Sequence, residues 1–186
     1  YKLAQLYRRD PAEFLQEEAL QEDPFVVFGR IYKNADPEWN QEISDNLEIL
    51  KEAVRIKKLL GDQVIPAPPK YPLSAPKSYE QAVEQGKEVA ILERERLNLG
   101  STPIRDVASL IAGQGIWTAA VPFPETISGL FIAHNQYGLA VFVNQGHARV
   151  RRRFSYAHEY AHALIDRDRT EVEPTSRENR NDFIEK

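Results

Sequence analysis

The sequence contains no cysteine and no methionine among its 186 residues. Without cysteine, a disulfide framework and any metal site built on thiolates are excluded. Long apolar runs are also missing: the longest, from Gly138 to Val143, is far shorter than the roughly 20 residues that cross a bilayer. No basic segment followed by an apolar one begins the chain, so a secretory signal is not visible. We therefore predict a cytoplasmic protein.

A strong excess of either charge is also lacking, since the net charge is −4 and the isoelectric point is near 5.7. Such a molecule offers no general attraction to nucleic acid. Hydrophobic residues make up 42% and charged residues 28%, as in a globular protein with a core. Because the sequence begins at Tyr1 and has no initiator methionine, we expect it to be a piece of a longer protein.

Proline divides the chain into two parts. Residues 1–61 predict a helical segment, whose last helix begins near Asp36-Pro37, runs to Leu60 and ends at Gly61. Residues 62–77 contain five prolines, a density that neither a helix interior nor a central strand tolerates. We interpret this stretch as a linker, which leaves residues 78–186 as a second domain.

The second domain has the pattern of an α+β fold with a small, mostly antiparallel sheet. Helices are predicted from Ser78 to Leu99, from Thr102-Pro103 to the residue before Gly113, from Val150 to Ile165, and from Ser176 onward. Strands are predicted at Ile116 to Phe123, Ile127 to Ala133 and Leu139 to Asn144, the last two forming a hairpin. The third strand is interpreted either as a sheet edge that binds an extended peptide or as an ordinary core strand.

One short run carries recognisable chemistry: His158-Glu159-Tyr160-Ala161-His162. Residues four apart lie on the same face of a helix, so both imidazoles can reach one tetrahedral zinc ion. Glu159 is rotated by about 100° from His158, which frees it to act as general base rather than as a ligand. This is the H-E-x-x-H arrangement of metallopeptidases.

Chance gives this pattern in roughly one such chain in a hundred, so the context has to be weighed. Apolar residues recur through the same helix, and we predict that they form the stripe packed on the core, with the histidines flanking it: Phe154, Ala157, Ala161, Leu164 and Ile165. Imidazoles and a carboxylate buried there without partners would be costly. A metal ion removes that cost.

A catalytic zinc usually takes a third protein ligand. Asp168 stands where a metzincin has its third histidine, but Ile165 replaces the glycine needed for the turn, so we discount Asp168. Thr175 and Glu178 have the spacing of a capping box, which would occupy Glu178. Glu185 is therefore the predicted third ligand and Glu178 the second choice; Glu171 and Glu173 are further candidates.

The chemistry predicted for this ligand set is peptide hydrolysis by activated water, with zinc as the metal, although other divalent ions accept the same ligands. Spacing favours none of the candidate oxyanion donors, which are Tyr160, His134, His147 and the nearby arginines. Four of these arginines form a basic cluster ahead of the motif, at positions 149 and 151–153. We favour a structural or substrate-binding role for them over contact with DNA.

Several short matches occur in order between residues 78 and 186, and through them the chain resembles the ImmA/IrrE family of metallopeptidases. They are Leu97-Asn98-Leu99-Gly100, Pro103-Ile104, Ile127-Ser128-Gly129, Val143-Asn144 and the run from Arg151 to Glu159. The resemblance implies a zincin-like core whose third ligand is a glutamate opening an E-x-x-A-N segment, a place that Glu185 fits.

The resemblance also implies a function. Such proteins are cytoplasmic regulators of bacteria or phages, and the implied substrate is a helix-turn-helix repressor whose cleavage turns genes on. Many relatives carry an Xre-type helix-turn-helix domain first; Tyr1 to Leu15 is similar to its closing helices, so DNA is a predicted partner. The alternative is a transcription regulator that uses a peptidase-like domain as a sensor or protein-binding module without cleavage. A third reading is a zinc hydrolase acting on another bond.

Overall fold

The computed structural model describes residues 37–60, 67–134, 138–168 and 175–176. The helices predicted before residue 37, including Tyr1 to Leu15, lie outside the described residues. The same holds for most of the helix predicted from Ser176 onward. In the part of the chain that is described, no helix is long and apolar enough to cross a membrane.

Four helices are described: α1 (Pro37–Leu59), α2 (Tyr79–Arg96), α3 (Val107–Ala112) and α4 (Arg149–Ile165). The cap predicted for α2 is present, because the Ser78 side chain accepts a hydrogen bond of 3.3 Å from the amide of Gln81. The start predicted for α3 at Thr102 is wrong. Asp106 caps this helix instead, since its carboxylate accepts hydrogen bonds from both the amide and the hydroxyl of Ser109.

The sheet has the strand order β1-β3-β2-β4, with β1 at Ile116–Val121, β2 at Ile127–His134, β3 at Gly138–Asn144 and β4 at Thr175–Ser176. Strands β2 and β3 form the predicted antiparallel hairpin. Strand β1 pairs with β3 in parallel, whereas β4 pairs with β2 antiparallel. Of the two interpretations of the strand Gly138 to Asn144, the sheet edge is therefore wrong. This strand lies between two others and is buried from its second residue onward, which is the core-strand alternative.

Both faces of the sheet are covered, because alternate residues of each strand point to opposite sides. On one face, Ile43 and Leu50 of α1 pack against Leu130, Ile132 and Phe142. The opposite face carries a second core cluster, formed with residues of α2, α3 and α4: Val89, Ile111, Ile116, Leu139, Val141, Val143, Tyr160, Ala163 and Leu164. The arrangement is α+β, as predicted, and it places α4 against β2 and β3.

The face of α4 that meets the sheet differs from the predicted apolar stripe. Phe154 is 72% exposed and Ala157 is also exposed. The buried residues are Ser155, Glu159, Tyr160, Ala163 and Leu164. The helix tolerates a serine on this face because the Ser155 hydroxyl donates to the carbonyl of Arg151 at 3.1 Å. The buried face therefore carries Glu159, and the histidines lie at its margin.

Candidate active site

Two imidazoles lie side by side on the open margin of α4. The Nε2 atoms of His158 and His162 are 3.2 Å apart, and the rings meet nearly edge to face, with centroids separated by 4.9 Å. The spacing of four residues produces this contact, because it returns the chain to the same face after one helical turn. The Nε2 atoms of both rings are thus directed toward the same small volume.

Asp166 fixes the orientation of the second imidazole. The Nδ1 atom of His162 lies 3.0 Å from Asp166 Oδ1 and 3.3 Å from Oδ2. Because a carboxylate only accepts hydrogen bonds, the proton of the neutral ring lies on Nδ1 and the lone pair on Nε2. Asp166 was not predicted from the sequence. It lies four residues after His162, which is the same spacing that predicted the pairing of His158 and His162.

Glu159 has no solvent-exposed surface. It lies where α4 crosses β2, with its carboxylate against the backbone of Gly129. A residue one position after His158 points about 100° away from it around the helix. The acidic side chain therefore leaves α4 on its buried face and packs against β2.

A surface depression opens at the pair, and its lining is formed by His158, Ala161, His162, Ile165 and Asp166. Among the described residues, no group of three or more histidine, cysteine, aspartate or glutamate side chains has the arrangement of a complete metal site. The predicted third ligand Glu185 and its alternative Glu178 lie outside those residues. The described residues thus supply two nitrogen donors from His158 and His162, the Asp166 carboxylate that orients His162, and the buried acid Glu159.

The C-terminal end of α4 is held by residues 67–71, which belong to the proline-rich stretch. The amide of Tyr71 donates to the carbonyl of Leu164 at 2.7 Å, and Arg167 donates to the carbonyl of Pro68 at 2.6 Å. Lys70 forms an ion pair with Asp168, the residue discounted as a ligand from the sequence. These contacts on both sides of Asp166 immobilise the turn that carries it.

A buried ionic cluster anchors the opposite side of α4. Glu93 of α2 is 6% exposed, and its two carboxylate oxygens accept from Nε and Nη2 of Arg96 at 2.8 and 2.6 Å. The hydroxyls of Tyr71 and Tyr160 donate to the same carboxylate. Tyr160 therefore points toward α2, away from the imidazoles, which removes it from the predicted oxyanion donors.

Two arginines of the predicted basic cluster make contacts within the domain. Arg151 donates to the hydroxyl of Ser128 on β2 at 3.0 Å. Arg153 donates to the carbonyls of Ile104 and Arg105 at 2.5 and 3.3 Å. These contacts fix the first turns of α4 against the sheet and the segment before α3, as expected for a structural role.

The turn that leads into α4 is built on Asn144. Its amide group donates to the carbonyls of Phe123 and Pro124 in the loop after β1 and of Ile127, the first residue of β2, while its oxygen accepts from the amide of Gly146. His147 follows, with Nε2 placed 3.1 Å from the carbonyl of Glu125. Asn144 and His147 thus hold the loop between β1 and β2, and they had not been assigned this role from the sequence.

A comparison with family models gives a match over residues 112–186, to Peptidase_M78, the IrrE N-terminal-like domain. No curated protein and no solved structure matches the chain. The matched segment contains the whole sheet and all of α4, including His158, Glu159 and His162. This match supports the family expected from the sequence, because residues 112–186 are similar to the IrrE N-terminal-like domain of that peptidase family.

Proposed function

We propose that this protein is a regulatory zinc-dependent endopeptidase that hydrolyses a peptide bond in a protein substrate, a helix-turn-helix repressor. The observation that carries the proposal is the pair of imidazole Nε2 atoms 3.2 Å apart with a buried glutamate between them in sequence. The match of residues 112–186 to a peptidase family supports the same reaction class. The repressor as substrate rests on the resemblance of the sequence to ImmA/IrrE proteins.

The donor set fits zinc. Two nitrogen ligands of a tetrahedral zinc ion, each about 2.0–2.1 Å from the metal, stand roughly 3.3–3.4 Å apart. The observed separation of 3.2 Å between the two Nε2 atoms is close to that value. A ligating histidine also normally donates its other ring N–H to a carboxylate or carbonyl, and Asp166 accepts this hydrogen bond from His162. In this proposal the third ligand is Glu185, with Glu178 as the second choice.

In the proposed reaction, a zinc ion held by these residues would act as a Lewis acid and would lower the pKa of a water molecule to near 7. Glu159 accepts a proton from the attacking water as the new carbon–oxygen bond forms. The same carboxyl group then gives this proton to the departing amine nitrogen as the carbon–nitrogen bond breaks. His158 and His162 would hold the metal, and Asp166 keeps His162 in the tautomer whose lone pair is on Nε2.

The test is cleavage of purified repressor by the purified full-length protein, with the repressor encoded beside it as the first substrate. We expect a single cut, identified by mass spectrometry, that disappears when zinc is removed with a chelator and returns when zinc is added. Cleavage that a chelator does not affect would contradict the proposed metal chemistry. Binding of the repressor without cleavage at any metal concentration would favour the alternative, a regulator that uses the domain as a protein-binding module.

A second expectation concerns Asp166 and needs no substrate. Asp166→Ala removes the acceptor that orients His162, so we expect zinc affinity to fall by about 10–100-fold. Competition with a chromophoric chelator measures this change directly. Asp45→Ala is the matched control, because Asp45 is exposed on α1, where its carboxylate accepts a hydrogen bond from Gln41. Equal losses of affinity in both variants would show that Asp166 has no specific role at the site.

A further inference from the structure

Gly129 has no conformational reason to be glycine. The described glycines with positive φ are Gly100, Gly115 and Gly138, so Gly129 adopts a backbone conformation open to any residue. It lies inside strand β2, where glycine weakens the strand because it has no side chain to pack. A glycine at such a place often marks the close approach of another group.

The approaching group is the buried acid of α4. A Cβ atom built on Gly129 would lie 2.9 Å from both Cγ and Cδ of Glu159 and closer still to Oε1. Real Cβ atoms essentially never make contacts below 3.0 Å, so even a methyl group at this position would force a displacement. The space that Glu159 occupies exists because residue 129 has no side chain.

The backbone of β2 cannot easily withdraw to relieve this contact. Gly129 is paired with Val143 of β3 on one side and with Thr175 of β4 on the other, next to a register shift between Ile127 and Gly129. The Glu159 carboxylate, in contrast, sits at the end of a flexible stem. A methyl group on residue 129 would therefore move the carboxylate rather than the strand.

We infer that Gly129 is a positioning residue for the general base: its missing side chain sets where the Glu159 carboxylate lies between α4 and β2. This inference rests on the proposed function, because it assigns the consequence of the contact to catalysis. The predicted signature is a loss of kcat at unchanged KM and unchanged zinc affinity, since the three atoms nearest to the added methyl group all belong to Glu159.

The first experiment is a double-mutant cycle that is measured by Tm and needs no substrate. Gly129→Ala is expected to lower Tm by about 3–10 °C in the parent and equally in Glu159→Gln, whose side chain has the same size. In the Glu159→Ala background Gly129→Ala should cause no loss of Tm, because the Cγ, Cδ and Oε1 atoms that it would clash with are absent. Gly86→Ala is the control for an added methyl group, as it meets nothing within 4 Å on α2. An equal loss of Tm with Glu159→Ala would overturn the proposed contact.

The second experiment measures cleavage of the repressor by Gly129→Ala, with zinc affinity measured on the same preparation. We expect kcat to fall by about 10²-fold, as a misplacement near 1 Å typically causes, with KM and zinc affinity unchanged. An unchanged kcat would overturn the positioning role, and a loss of zinc affinity would assign the effect to the metal instead. If the parent cleaves nothing, the proposed function fails and the positioning role fails with it. The Tm measurements still test the contact between residue 129 and Glu159.

Discussion

Glu159→Gln is expected to lower kcat for repressor cleavage by about 10²–10⁴-fold, the range that general acid–base catalysis contributes. Glutamine has the same shape, so its packing against Gly129 is retained. An amide, however, cannot accept the proton of the attacking water. Zinc affinity should stay unchanged, because the two imidazoles are not altered.

Cleavage rates and zinc content measured on the same protein sample separate these effects. The matched control is Glu95→Gln, which makes the same chemical change at an exposed position of α2. We expect Glu95→Gln to keep the parental kcat. Cleavage at the parental rate by Glu159→Gln would remove the general-base role, even if zinc binding is confirmed.

Glu93→Gln is expected to lower the free energy of unfolding by about 2–3 kcal/mol. Removing one partner of a fully buried ion pair costs roughly 3–5 kcal/mol, but the Arg96 side chain is 35% exposed and regains water, so the lower figure applies. The carboxylate also accepts from Tyr71 and Tyr160, which join the proline-rich stretch and α4 to α2. Urea denaturation of the parent and the variant at pH 7 measures the difference, and Glu95→Gln is again the control.

The stabilisation of the folded protein by the Glu93 carboxylate should decrease as the pH falls. Burial alone would raise the pKa of Glu93, but hydrogen bonds from Arg96, Tyr160 and Tyr71 outweigh it and lower the pKa below its ordinary value of 4.5. A carboxyl group with a lowered pKa in the folded state stabilises the protein above its unfolded-state pKa, and this stabilisation is lost as the pH falls through the folded-state value. The difference between the parent and Glu93→Gln should therefore be constant near neutral pH and shrink below 4.5. A difference that grows on acidification would contradict this.

Local features of the fold were predictable because local physics decides them. The spacing of His158 and His162 determines their contact within one helix, and Ser78 determines the start of α2. The hairpin of β2 and β3 follows from two strands separated by a short loop. None of these predictions depends on residues far away in the chain.

The features that could not be predicted depend on distant partners. The position of β3 at the centre of the sheet is set by its parallel pairing with β1, which hydrophobic pattern alone does not indicate. The buried face of α4 was misassigned because Ser155 and Glu159 are polar, yet they lie in the core. Only the facing strand, with glycine at position 129, makes room for Glu159 there.

Zinc binding by purified full-length protein tests the central claim most directly. Equilibrium dialysis against buffered zinc should give one tightly bound ion per chain for the parent, and a loss of that ion for both His158→Ala and His162→Ala. His147→Ala is the matched histidine control, because its ring contacts the carbonyl of Glu125 instead, and it should retain the metal. The proposed zinc site would be contradicted if His158→Ala or His162→Ala bound one zinc ion as tightly as the parent. It would also be contradicted if the parent bound no zinc ion tightly.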